Sequence, residues 1–292
     1  MALSVLKDIK KIYAGLNADE IRGSAYRDLN IGLMASGPEV YRAMEDLFAP
    51  AWLTDADRTE ALRAVHVVDG APHDRFDFIL AESGNPLPGN GYVFDVAGFD
   101  PANRDALVRT IVSDHHDLQL SLARRYPLFR RQVADNMIQR VSWENALFSL
   151  ATALPNVIPS IVDLPWALGE FATDTAFLTM NQIRMALLMA AAHGHPIGYR
   201  EQKAQIAMIA AAAFGWRAMA RELVGKIPLG GGLIPKAAIA YAGTYVVGLG
   251  LEKVNRTGSR MSKREEKDAY LDAFAKGKEA VKELAPAVAK KA

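Results

Sequence analysis

The 292-residue sequence contains no cysteine. That absence removes disulfides, thiol nucleophiles and thiolate metal sites. Long uninterrupted apolar runs are also missing. A bilayer-spanning helix needs about 20 apolar residues. Residues 145–169 hold one charge, Asp163, but also Pro155, Pro159 and Pro165, which break a helical hydrogen-bond ladder. Ala237 to Leu251 is uncharged over 15 residues, enough for roughly 22 Å at about 1.5 Å per residue. Its small residues, Ala238, Ala242, Gly243, Gly248 and Gly250, favour close helix packing. The stretch 175–192 carries Asn181, Gln182 and Arg184 near its middle. Those groups are costly in lipid and tolerable in a protein core when paired. A soluble helical bundle and a membrane-docked one therefore both stand at this point. No G-x-S-x-G context surrounds Ser36, Ser83 or Ser142, so no nucleophile elbow is present.

Half of the residues are hydrophobic and 23% are charged, the composition of a folded chain, and the length suits two domains. The net charge of +1 conceals an asymmetry. Residues 1–100 carry 9 Lys/Arg against 16 Asp/Glu, while residues 253–292 carry 11 against 6. An acidic head is a poor nucleic-acid binder, because that affinity rests on phosphate neutralisation. A basic tail suits anionic lipid or an acidic partner. The first residues, MALSVLKDIKKIY, place charge inside the apolar stretch and do not read as a secretory signal.

Short apolar runs ended by Gly and Pro mark strands at 29–35, 64–69, 75–82 and 91–98. Pro38 is placed to begin a helix in which Val40, Met44, Leu47 and Phe48 share a face. After residue 100 the pattern is helical, with candidates at 104–126, 129–141, 174–193, 199–224, 235–254 and 262–284. The expected organisation is a small α/β domain over 1–100, an all-α domain over 101–261 and a basic helix and tail over 262–292. The fold class is mixed, and mostly helical.

Gly32-Leu33-Met34-Ala35-Ser36-Gly37-Pro38-Glu39 keeps the glycine spacing of G-x-x-x-x-G-K-[ST] between a strand and a helix. Pro38 stands where lysine would neutralise the β- and γ-phosphates. Glu39 stands where a hydroxyl would ligate Mg²⁺, and brings a negative charge instead. Pro38 also deletes one N–H from the anion nest. Asp69, in VVDGAP, and Asp95, in Asp-Val-Ala-Gly, echo two GTPase elements, while the guanine-reading N-K-x-D is missing. The reading is a degenerate, pseudo-GTPase head that does not hydrolyse nucleoside triphosphates. No catalytic residue, cofactor or metal ligand is assigned.

Leu-Thr-x-x-Gln-x-x-Met at 178–185, Ile-Pro…Gly…Pro-Lys at 227–236 and Ala-Tyr-Ala-Gly-Thr…Gly at 240–248 together resemble the YcjF-type family of bacterial proteins, over roughly 150–258 and, with the preceding helix, 125–258. The resemblance implies a helical, often membrane-associated domain, frequently attached to or encoded near a GTPase-like domain. It carries over no catalytic residue. The expected location is cytoplasmic, peripheral to or partly inserted in the inner membrane.

Arg124, Arg125, Arg130 and Arg131 around Tyr126-Pro127 are candidates for a phosphate or lipid headgroup, set against an exposed bend with salt bridges. His115 and His116 are neighbours on a helix and point apart, so a polar stripe is expected rather than a chelate. His193 and His195 flank Gly194 at a helix end, where cationic His acts as a cap. Met180, Met185 and Met189 read as core. Three functions follow: a non-catalytic membrane-associated scaffold with a protein-binding head, a soluble homo-oligomer or partner of a genuine GTPase, and a nucleotide- or anion-binding protein.

Overall fold

The computed structural model describes residue 16 and residues 18–69, 75–97, 101–152, 174–209 and 233–290. The protein is mostly helical, with one small parallel sheet. In chain order the elements are α1 (Ala18–Ala25), β1 (Ile31–Met34), α2 (Pro38–Phe48), α3 (Asp55–Leu62), β2 (Val65–Val67), β3 (Phe78–Glu82), β4 (Gly91–Phe94), α4 (Pro101–Asp114), α5 (Gln119–Arg125), α6 (Pro127–Ala151), α7 (Asp174–Ala192), α8 (Leu233–Thr257) and α9 (Lys263–Lys290). Backbone at 203–209 is also helical.

The chain forms two compact units. One is built from Asp19–Ala134 with Ala191–His195, the other from Asp135–Ala190 with Pro196–Ala292 and the first residues. The division falls inside α6, not at the change of texture near residue 100. The physical reason is aromatic packing within the first unit. Phe48 of α2 meets Tyr126 edge-on at 5.0 Å and stacks on Phe129 at 6.1 Å. The start of the helical half therefore completes the core of the α/β half.

The sheet of the first unit has the order β2-β1-β3-β4, all parallel. Ile31 pairs with Val65 on one side and Phe78 on the other, and Ile79 pairs with Gly91. Ile31, Leu33, Phe78, Ile79, Leu80 and Ala81 are buried. Consecutive buried side chains point to opposite faces, so both faces of β1 and β3 are covered. That is why these runs are continuously apolar rather than alternating. Pro38 opens α2, where its missing N–H would have no intrahelical partner in any case. α3 is a polar helix started by Thr54, whose side chain accepts the Asp57 N–H.

The helix expected over 104–126 is broken into α4 and α5. No proline or glycine sits at the break. The Gln119 amide donates to the Val112 carbonyl and meets the His116 ring, and the His115 ring meets Tyr92. Side-chain contacts hold the chain out of helix there.

In the second unit α8 and α9 pack against each other through Tyr241, Ala242, Val246, Tyr270 and Ala273. A Cβ on Gly277 would lie 2.9 Å from the Tyr241 ring, and one on Gly248 would lie 2.7 Å from Ile138. Gly248 of α8 and Gly277 of α9 are thus points of close approach to neighbouring helices. Ser262 and Glu265 start α9 with a reciprocal capping box: the Ser262 N–H donates to Glu265 at 2.7 Å and the Glu265 N–H to the Ser262 hydroxyl at 3.2 Å. These bonds, with Lys253 as the leading partner, pull the Glu265 carboxyl down to about 2. Most of the proline-rich stretch 145–169, and helix candidate 199–224 beyond residue 209, lie outside the described residues.

Candidate functional site

In open parallel sheets, ligands gather beyond the carboxyl ends of the strands, where the chain order reverses. Here that point is between β1 and β3, and it coincides with the glycine pair. Gly32, however, lies within β1. A Cβ there would approach Val68 at 2.8 Å and Ile79 at 3.0 Å, so its glycine serves packing under the sheet. Only Ala35, Ser36 and Gly37 link β1 to α2. Gly37 is extended, with φ −168, and nothing lies within 4 Å of a Cβ placed on it. A run of three residues is shorter than the phosphate cradle spelled by the motif, whose residues lie between its two glycines.

The backbone at this junction already holds an anion. Glu82 ends β3, and its carboxylate accepts the Ser36 N–H at 2.7 Å. Hydrogen bonds from Ser36 hold the Glu82 carboxyl below its ordinary range. Glu39 is exposed in the first turn of α2. Two carboxylates therefore stand where a triphosphate would bring more negative charge. Asp69 is exposed after β2, and the Gly70 that follows it lies outside the described residues, as does Gly98 of the second echo. Asp95 accepts the Ala97 N–H at 3.0 Å.

The arginine cluster is partly assembled. Arg124, Arg125 and Arg130 line one groove of about 520 Å³ in the first unit, together with Tyr26, Arg27 and Trp52, while Arg131 is exposed and does not line it. Arg124 lies 4.1 Å from the Tyr26 ring centroid and donates to the Tyr26 hydroxyl at 2.6 Å. It also donates to the Ala191 and His195 carbonyls at 3.2 and 3.0 Å, which caps the C-terminal end of α7. Gly194 ends that helix with φ +80, a conformation suited to glycine. Arg130 donates to the Ala123 and Arg124 carbonyls, and burial with the nearby Arg124 charge holds its pKa below the ordinary value.

His116, Asp114 and Asp117 are exposed, as a solvated stripe requires, while His115 is half-buried. The Tyr92 hydroxyl lies 2.9 Å from His115 Nε2 and 3.0 Å from an Asp114 carboxylate oxygen. Burial and the Asp114 hydrogen bond, in which the phenol is the donor, raise the Tyr92 pKa well above its ordinary value. Among the described residues no group of three or more His, Asp or Glu side chains could hold a metal ion.

The polar residues of α7 are paired inside the second unit. Asn181 donates to Asn145 at 2.9 Å. Asn145 and Gln182 both donate to the Thr244 hydroxyl, at 2.8 and 3.2 Å. Arg184 lies 3.5 Å from Glu144, whose pKa burial pushes up while Arg184 opposes it. Met180, Met185 and Met189 are buried. Ser142 is also buried, and its hydroxyl has no hydrogen-bond partner among the described residues.

Glu82, Tyr26 and Trp52 were not singled out from the sequence. Glu82 is separated from Ser36 by 46 residues and Tyr26 from Arg124 by 98. The one local signal was an acid ending the buried run FILA.

No protein-family model matches the chain, and no curated protein or solved structure matches it.

Proposed function

We propose that the protein is a non-catalytic, membrane-associated scaffold whose head is a nucleotide-type fold kept for its shape, used as a protein-binding module. The observation that carries the non-catalytic part is the Glu82–Ser36 hydrogen bond. An internal carboxylate occupies backbone N–H that a phosphate would need. The YcjF-type resemblance of the helical half adds the expectation of membrane association and of a GTPase as neighbour or partner. The basic residues of 253–292 suit an anionic surface at the inner membrane, and α8 supplies one stretch, Ile234–Thr257, long and apolar enough to cross a membrane by length and composition.

The test is flotation with anionic vesicles at low salt. Wild type should rise with the vesicles, and the triple variant Lys263→Glu, Arg264→Glu, Lys267→Glu, all exposed positions, should stay below. Wild type that stays in the soluble fraction removes the membrane part of the proposal.

A second reading, a soluble helical oligomer or partner of a genuine GTPase, draws on a different observation. The apolar window of α8 is 61% buried inside the protein, and its Thr244 is bonded to two buried amides. That is how a core helix is built. Light scattering separates the readings: a defined oligomer without vesicle binding favours the second.

A further inference from the structure

We propose that the groove formed around α1, α3 and α5 binds a small phosphate monoester with a ring-shaped body, the phosphate held by Arg125 and the body packed against Trp52. All of its lining residues belong to the first unit. The proposal stands apart from the scaffold reading.

The charge balance comes first. Four arginines and two acids line the groove. Arg27 is already neutralised, since it pairs with Asp117 and, at 3.2 Å, with Asp77, neither of which lines it. Of the two lining acids, Glu60 is paired outside the groove and Asp57 keeps its charge, leaving the arginines in excess. Asp57 accepts the Thr54 hydroxyl at 2.7 Å, and Glu60 pairs with Arg63 at 2.7 Å. Arg124 and Arg130 donate to neutral oxygens, the carbonyls and the phenol described above. Among the described residues neither forms an ion pair with a carboxylate, and the Arg124 charge disfavours that of Arg130. Arg125 has no hydrogen bond or ion pair among the described residues. Its planar fork of donors is free to take two oxygens of one phosphate.

The shape comes second. About 520 Å³ falls in the range of sites that take small molecules. Two large aromatics at the groove are unusually open: Trp52 is 66% exposed and Tyr26 is 59% exposed. Arg124 covers the Tyr26 ring, while the Trp52 indole is left as an apolar plate beside three guanidinium groups. A dianion next to a flat surface is the chemistry of a sugar or nucleoside phosphate.

The experiment uses the full chain and calorimetric titration with AMP, with inorganic phosphate, and with vesicles containing phosphatidic acid. Wild type should bind AMP saturably. Arg125→Gln, which breaks no internal bond, should weaken AMP and phosphate alike by at least about tenfold with an unchanged melting temperature. Trp52→Ala should weaken AMP and leave inorganic phosphate unchanged. If vesicles bind in an Arg125-dependent way and AMP does not, a lipid headgroup is the source of the phosphate and the Arg125 site stands. No saturable binding of any of the three probes at about 10 mM phosphate groups, or binding that Arg125→Gln leaves intact, overturns the proposal.

Discussion

The Glu82 carboxylate accepts the backbone N–H of Ser36 at 2.7 Å, across the gap between the ends of β1 and β3. This bond changes what restoring the phosphate-loop side chains should achieve. The double variant Pro38→Lys, Glu39→Ser recreates the motif on paper. Gly32 still lies in β1, three residues still join strand to helix, and Glu82 still holds Ser36. In an Arg125→Gln background, where the groove does not contribute, the expected result is no added heat on titration with ATP, GTP or GDP. Nucleotide affinity gained over that parent would show that the loop can rearrange into a cradle.

Glu82 should also leave a pH signature. Its folded pKa is depressed below the ordinary 4.5 by Ser36. A depressed carboxylate contributes stability above its unfolded pKa, and loses it as pH falls through the folded value. Wild type should therefore melt above Glu82→Gln at pH 7, and the gap should narrow below pH 4.5. Melting curves of both proteins across that range decide it. A gap that is constant with pH would mean the carboxylate charge does not matter.

Thr244 is the shared acceptor of Asn145 and Gln182 in the second unit. Valine has the same shape and no oxygen, so Thr244→Val leaves two buried amide donors without it. The expected loss is about 1–3 kcal/mol in urea unfolding with an unchanged slope. Thr244→Ser keeps the oxygen and should lose less.

Gly248 tests the close packing of α8. Its Cβ would meet Ile138 at 2.7 and 2.9 Å and Met185 at 3.2 Å. Gly248→Val should destabilise by about 1–3 kcal/mol through overpacking. Gly250, with its nearest such neighbour at 3.9 Å, should tolerate alanine without loss and gain helix propensity. Equal effects at the two positions would argue against the packing described for α8.

The strands were readable because each is a short apolar run closed by turn residues; 75–82 contains β3 and 91–98 contains β4. α3 was not, because DADRTEAL buries Ala61 and offers no apolar period. The break at His115–Leu118 was equally invisible, since Tyr92 and Gln119 impose it through tertiary contacts. Three of the four arginines were legible as a group because they are near neighbours in the chain. Trp52 and Tyr26 reach the same groove from far away in sequence, and no local pattern announces that. The same separation hid Glu82 behind a motif whose glycines were in fact doing two unrelated things.

α6 contributes its first eight residues to one compact unit and the rest to the other. Phe129 and Val133 are buried in the first, Ala146 and Leu150 in the second. A genetic exchange that joined this head to a foreign helical half at residue 100 would discard Tyr126 and Phe129, and so strip aromatic partners from Phe48. The two halves are bound to a common inheritance: neither can be shuffled into another gene with its core intact unless the helix travels with it.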